Sequence, residues 1–168
     1  MDALGAAEFK TLYLTKTMPN TQYAFLKNDA IPDRATLQSW IDGLGFDLKL
    51  DLELDLVKDR GFSPCKLNGM SDIGFELWPE PTADVAAGSN ELLTIAGDRG
   101  FCIAMSWDGN MKDCAAVMIL SCALAKYCDA VVSYECNEPE SLSQMLQSTQ
   151  EILKGAPTEF GKNSTLRI

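Results

Sequence analysis

The chain has 168 residues, 46% of them hydrophobic, with 14 basic and 24 acidic side chains and a formal net charge of −10. That length suits one domain, with a core large enough to fold without a metal or disulfide staple. The charge argues against binding to nucleic acid phosphates or anionic lipid, and the absence of histidine removes the usual general base and the commonest metal ligand.

Residues 1–9 carry no basic start or long apolar run, so nothing there reads as a secretion signal. Residues 10–16 read as a strand, with Leu12 and Leu14 on one face. Residues 17–31 give mixed signals and read as loop, with a short element at 23–26. Pro32 and Asp33 then open a helix over 34–44, with Leu37, Trp40, Ile41 and Leu44 inward. Gly43 and Gly45 end it.

Residues 46–56 give the clearest periodic signal. Phe46, Leu48, Leu50, Leu52, Leu54 and Leu56 alternate with Asp47, Lys49, Asp51, Glu53 and Asp55. Period two predicts a strand with one buried and one wet face. Residues 62–67 predict a second strand, which Pro64 pushes toward an edge or a bulge. Asn68-Gly69 suits a tight turn, and 73–78 return as a third strand, completing an antiparallel meander. Pro79, Pro81 and Gly88 mark a loop, and Asn90 can cap a short helix over 91–97.

Residues 100–107 read as a strand and Asp108-Gly109-Asn110 as a turn. The next stretch, 111–126, is apolar on nearly every face, so it predicts a helix buried on more than one side. Asn110 can cap it, and Asp113 and Lys126 have the right signs for its dipole. Residues 130–134 follow as a short strand. Strand, buried helix and strand form the core of an α/β layer. Pro139 suits a first helical position, opening an amphipathic helix to Lys154. The expected fold is α/β (α+β): one mixed, largely antiparallel sheet packed against the long buried helix and one or two others. It occupies 1–168 as one globular domain, with 1–9 and 158–168 loose.

Cysteines stand at 65, 102, 114, 122, 128 and 136, and no pair has C-x-x-C spacing. Most read as reduced core residues of a cytoplasmic protein, while a Cys128–Cys136 disulfide stays open. The longest apolar run, 114–125, is shorter than the ~20 residues a bilayer needs. No G-x-S-x-G, Walker or G-x-G-x-x-G motif occurs, and Asp108-Gly109-Asn110 lacks the ligand ladder of a calcium loop. No cofactor or metal is implied.

The charge is patterned. No Lys or Arg occurs between Lys66 and Arg99, or between Lys126 and Lys154, while carboxylates occur throughout both windows. Such a surface attracts a basic partner and speeds its encounter. The acidic face of 46–56, with Asp47, Asp51, Glu53 and Asp55, is the candidate contact surface. A merely solvated sheet face shows the same alternation and is the commoner case. Trp78 and Trp107 are candidate apolar anchors beside it. Trp40 fits the core.

Three segments carry a family likeness: Gly61-Phe62-Ser63-Pro64, Gly74-Phe75-Glu76, and Trp107 followed by the Ala-rich run 114–125. In these, over about two thirds of its length, the chain resembles small α/β bacterial immunity proteins of polymorphic-toxin and type VI secretion effector–immunity pairs. It departs after Val132, where Ser133-Tyr134-Glu135 stands in place of an Asp-Pro ending. The resemblance implies a cytoplasmic, non-enzymatic protein that neutralises a cognate toxin by direct binding and occlusion. It brings no catalytic motif and fixes no oligomeric state. An acidic nucleic-acid mimic of phage type, blocking a DNA- or RNA-binding protein, is the alternative. A carboxylate- or cysteine-based enzyme is the third reading.

Overall fold

The computed structural model describes residues 20–155. The strand expected over 10–16 and the terminal segments lie outside them. Six strands form one sheet: β1 (Asn20–Leu26), β2 (Leu48–Leu50), β3 (Gly61–Leu67), β4 (Met70–Pro81), β5 (Phe101–Trp107) and β6 (Val131–Tyr134). The spatial order is β2-β3-β4-β5-β1-β6, and every neighbouring pair is antiparallel. Five helices accompany it: α1 (Arg34–Gly43), α2 (Thr82–Val85), α3 (Asn90–Ala96), α4 (Met111–Cys128) and α5 (Leu142–Gly155).

The strand–helix–strand unit is β5-α4-β6. Both strands pair antiparallel with β1, so they run parallel to each other with β1 between them. This insertion explains why 20–26 does not alternate. The central strand is covered on both faces, and its polar Thr21 and Gln22 are buried rather than wet. Thr21 shares a hydrogen bond with Ser106, and Gln22 donates to Ser121 of α4. The short element expected at 23–26 is therefore the second half of a full strand.

The helix α4 has eleven consecutive buried residues, Cys114 to Leu124. Asn110 caps it by accepting from the Lys112 amide, and Asp129, at a φ of 56°, ends it in the left-handed region. With α1 and α5, α4 covers one sheet face over a core containing Leu37, Ile41, Phe75, Leu77, Ile103 and Val117. The ring of Trp40 on α1 stacks on Tyr127 of α4, 5.4 Å between centroids. The other face carries α2 and α3 over Phe25 and Cys102.

The expected eleven-residue strand over 46–56 is corrected to three residues, Leu48–Leu50. Alternation ends there because the chain's own aspartates fold it into turns. The Leu54 amide donates to the Asp51 carbonyl, Asp55 accepts from the Val57 and Lys58 amides, and Asp59 accepts from the Asp55 amide. Leu52 is 80% exposed, although the period-two pattern made it a core residue. The outer edge of β2 is closed by α1. Gln38 donates to the Leu48 carbonyl and accepts from the Leu50 amide, in place of a further strand. Arg34 takes the carbonyls of Leu50 and Asp51.

The β3–β4 hairpin turns on Asn68 and Gly69, both at positive φ, as a two-residue primed turn requires. Register shifts between Cys65 and Leu67, next to Pro64, and β2 reaches only as far as Cys65. β4 is longer than 73–78 and runs through Pro79 to Pro81. Two helix starts differ from expectation. Ser89, not Asn90, caps α3. α5 begins at Leu142 rather than at Pro139, with Ser141 and Gln144 exchanging side chain–amide bonds as a capping box.

Candidate functional site

A cavity of about 530 Å³ opens where β1, β6 and the end of β5 meet α4 and α5. Met111, Cys114 and Met118 lie three and four residues apart on α4 and so share the helix face that lines it. Met145, Ser148 and Ile152 do the same on α5. The sheet contributes Asn20, Gln22, Trp107, Val132 and Tyr134, and the β6–α5 connection contributes Asn137, Glu138 and Glu140. Glu151 of α5 adds a third carboxylate. No Lys or Arg is among the lining residues.

Local bonds hold these parts in place. The Trp107 and Tyr134 rings lie 6.0 Å apart at 42°. Tyr134 donates its hydroxyl to Asn20 Oδ1 at 2.6 Å. Burial raises the Tyr134 pKa, helped by Glu135 and Cys114, so the hydroxyl stays a donor. The turn after β6 is fastened to β1: the Glu135 amide donates to the Thr21 carbonyl, and the Glu135 carboxylate accepts from the Thr21 amide. Ser133 donates to the carbonyls of Glu135 and Asn137. Glu138 and Glu140 thus leave a braced turn, and both are exposed.

The residues picked from the sequence are not brought together. Asp47, Asp51 and Glu53 are exposed and Asp55 is half-buried, but all four lie around β2 and the following turns, not on one strand face. Hydrogen bonds from the Val57 and Lys58 amides hold the Asp55 carboxyl below its ordinary value. Trp107 is only 7% exposed, which corrects its reading as an exposed anchor. Trp78 is half-buried opposite Ala104. Trp107 is three residues beyond Ala104 on β5, so the two tryptophans point to opposite sheet faces.

Five of the six thiols are held in their unreactive protonated form. Burial pushes Cys65 and Cys114 up to about 12 and Cys128 up to about 11, and it raises Cys102 and Cys122 as well. A nucleophilic cysteine needs the opposite shift. No group of three or more Cys, Asp or Glu among the described residues could hold a metal ion. No helix among them is long and apolar enough to cross a membrane.

Asp113 joins the helix to the sheet. It accepts the Gly74 amide at 3.1 Å. Glu76, opposite Ser106, begins the pairing of β4 with β5, so Gly74 lies beyond the reach of β5. The first turn of α4 supplies the missing acceptor. A side chain at Gly74 would collide with the Phe62 ring, since an added Cβ would lie 2.3 Å from it.

Sequence reasoning missed the cavity because five separate segments build it. One signal did point there. Glu138, Glu140 and Glu151 all come from the cation-free window between Lys126 and Lys154. Comparison with family models, with characterised proteins and with solved structures finds no match.

Proposed function

We propose that this chain is a non-enzymatic binding protein that neutralises a basic protein partner by occluding it, as an immunity protein does to its cognate toxin. The observation that carries the reading is the cavity rim. Three carboxylates surround a floor of Met, Trp and Tyr side chains, with no cation among the lining residues. Glu138 and Glu140 accept no hydrogen bond among the described residues, and Glu151 accepts only a long one, 3.5 Å, from Gln147. Acids left open around an apolar concavity suit a partner that brings positive charge.

Three of the ten cations among the described residues are already ion-paired. Lys49 pairs with Asp42, Arg60 with Glu80, and Arg99 with Asp129. The net charge of −10 supports fast, salt-sensitive association. The raised thiols and the lack of histidine weigh against catalysis.

Co-expression with the product of the neighbouring gene, where that gene reads as a toxin, tests the reading. Binding and rescue of growth are expected. A wild-type protein that neither binds nor rescues would defeat it.

A further inference from the structure

The cavity's inner end adds an observation independent of the acidic rim. Gln22 is 3% exposed and lines the cavity from the central strand. Its amide nitrogen is fully engaged, donating to Ser121 Oγ at 2.9 Å and to Met118 Sδ at 3.2 Å. Ser121 in turn donates to the Val117 carbonyl at 2.8 Å, which fixes the direction of this chain of bonds. The Gln22 amide oxygen accepts no hydrogen bond among the described residues. That oxygen faces accessible space rather than a sealed interior, so a donor entering the cavity can reach it.

The cavity therefore asks for three things at once. It needs hydrogen-bond donors for the Gln22 oxygen, positive charge for the carboxylates, and an apolar stem to lie along its walls. We propose that the cavity receives an arginine side chain of the partner, with its guanidinium between the Gln22 oxygen and the carboxylates of Glu138, Glu140 and Glu151. A guanidinium has five donors in a rigid planar fork, so it can serve an amide oxygen and a carboxylate together. Its planar face suits the Trp107 and Tyr134 rings. Its methylenes suit the thioethers of Met118 and Met145, which adapt to an incoming stem. Lysine offers a single strongly hydrated ammonium and fits the separated acceptors less well. About 530 Å³ exceeds one side chain, so the residues flanking the arginine enter the mouth with it.

This assignment rests on the binding reading above, and the test separates the two. The probe is acetyl-Gly-Arg-Gly-amide, with the citrulline peptide as its neutral near-isostere, titrated into the full chain carrying methyl-labelled methionine. Saturable shifts of Met118, Met145 and the Trp107 indole are expected with the arginine peptide, and binding at least ~10-fold weaker with citrulline. The double variant Glu138→Gln/Glu151→Gln should weaken the arginine peptide by a similar factor, with an unchanged melting curve, because both groups are exposed. Equal binding of the two peptides, shifts that spare Met118 and Met145, or no shift at millimolar peptide overturns the cavity assignment whatever the growth assay gives. Failure of the wild type to rescue growth overturns the toxin reading and leaves the peptide result standing.

Discussion

Around β2, residues 47–60 carry five carboxylates, but Lys49, Lys58 and Arg60 lie among them and the Arg34 guanidinium reaches in from α1. Across the molecule, the window 127–153 also carries five carboxylates and no cation at all. In the first region Asp55 and Asp59 close the turns of their own backbone. In the second, Glu135 is bound to β1 through Thr21 and Asp129 is paired with Arg99, which leaves Glu138, Glu140 and Glu151 without a cation among the described residues. Equal numbers of acids therefore produce different surfaces. What separates them is local neutralisation, and whether the chain has already used the oxygens to shape itself.

The helix α4 supports the cavity from below, so disrupting it gives the largest expected effect. Val117 is fully buried beneath the lining residues. Val117→Asp puts an uncompensated charge there and should cost about 4 kcal/mol. The melting temperature should fall by about ten degrees, and cavity binding should be lost with it. An unchanged melting curve would refute the burial of α4.

Next in size is charge reversal at the rim. Glu138→Lys with Glu140→Lys changes the field where no cation softens it. Association with the basic partner should slow by ~10-fold or more at low salt, and the difference should shrink as salt is added. Both side chains are exposed, so the folded state should hardly change. A salt-independent loss of binding would mean that shape, not steering, governs this face.

How much of this was legible in the sequence depends on which interaction held each segment. Residues 111–128 form a helix that is itself apolar on nearly every face, so composition alone announces burial. The hairpin at Asn68-Gly69 is equally local. Residues 46–56 misled because period two reports a strand only when the backbone bonds run to another strand. Here Asp51, Asp55 and Asp59 offer the chain a nearer partner, while Gln38 and Arg34, ten or more residues upstream, hold the three residues that remain. β1 was obscured for the opposite reason, since the buried side chains of Thr21 and Gln22 find partners on β5 and α4, far away in sequence. The cavity combines both difficulties. Its acids lie in one sequence window, but its floor comes from distant elements.

A smaller effect involves pH. Burial raises the Asp113 carboxyl, outweighing the Gly74 amide bond that lowers it, and Asp108 adds to the rise while Lys112 opposes it. The folded state thus holds this proton more tightly than the unfolded chain does. Ionisation then costs stability, with no cost below the ordinary aspartate value and the full cost above the raised one. Asp113→Asn keeps an acceptor for Gly74 and cannot ionise. Its melting temperature relative to wild type should rise as pH climbs through the ordinary aspartate value and level off above the raised one. A difference independent of pH would show that the carboxyl is not held above its ordinary value.

The smallest effect is expected where the sequence pattern pointed most strongly. Asp51 and Glu53 are exposed, and their carboxylates take part in no hydrogen bond or ion pair among the described residues. They resemble the rim glutamates in that respect. They differ in having Lys49, Lys58, Arg34 and Arg60 close in sequence or bonded to the same turns, and in facing no cavity. At about 0.15 M salt the screening length is ~8 Å, so a steering charge acts mainly over its own neighbourhood. Asp51→Lys with Glu53→Lys adds cations to a region already close to neutral. It should slow association by less than ~3-fold, against ~10-fold for the rim pair, although both double variants change net charge by the same amount. Stopped-flow association rates for the two variants, measured side by side across a salt series, decide between local and global steering. Equal slowing would mean that net charge alone guides the partner. Greater slowing by the Asp51/Glu53 pair would move the contact surface back to the turns after β2.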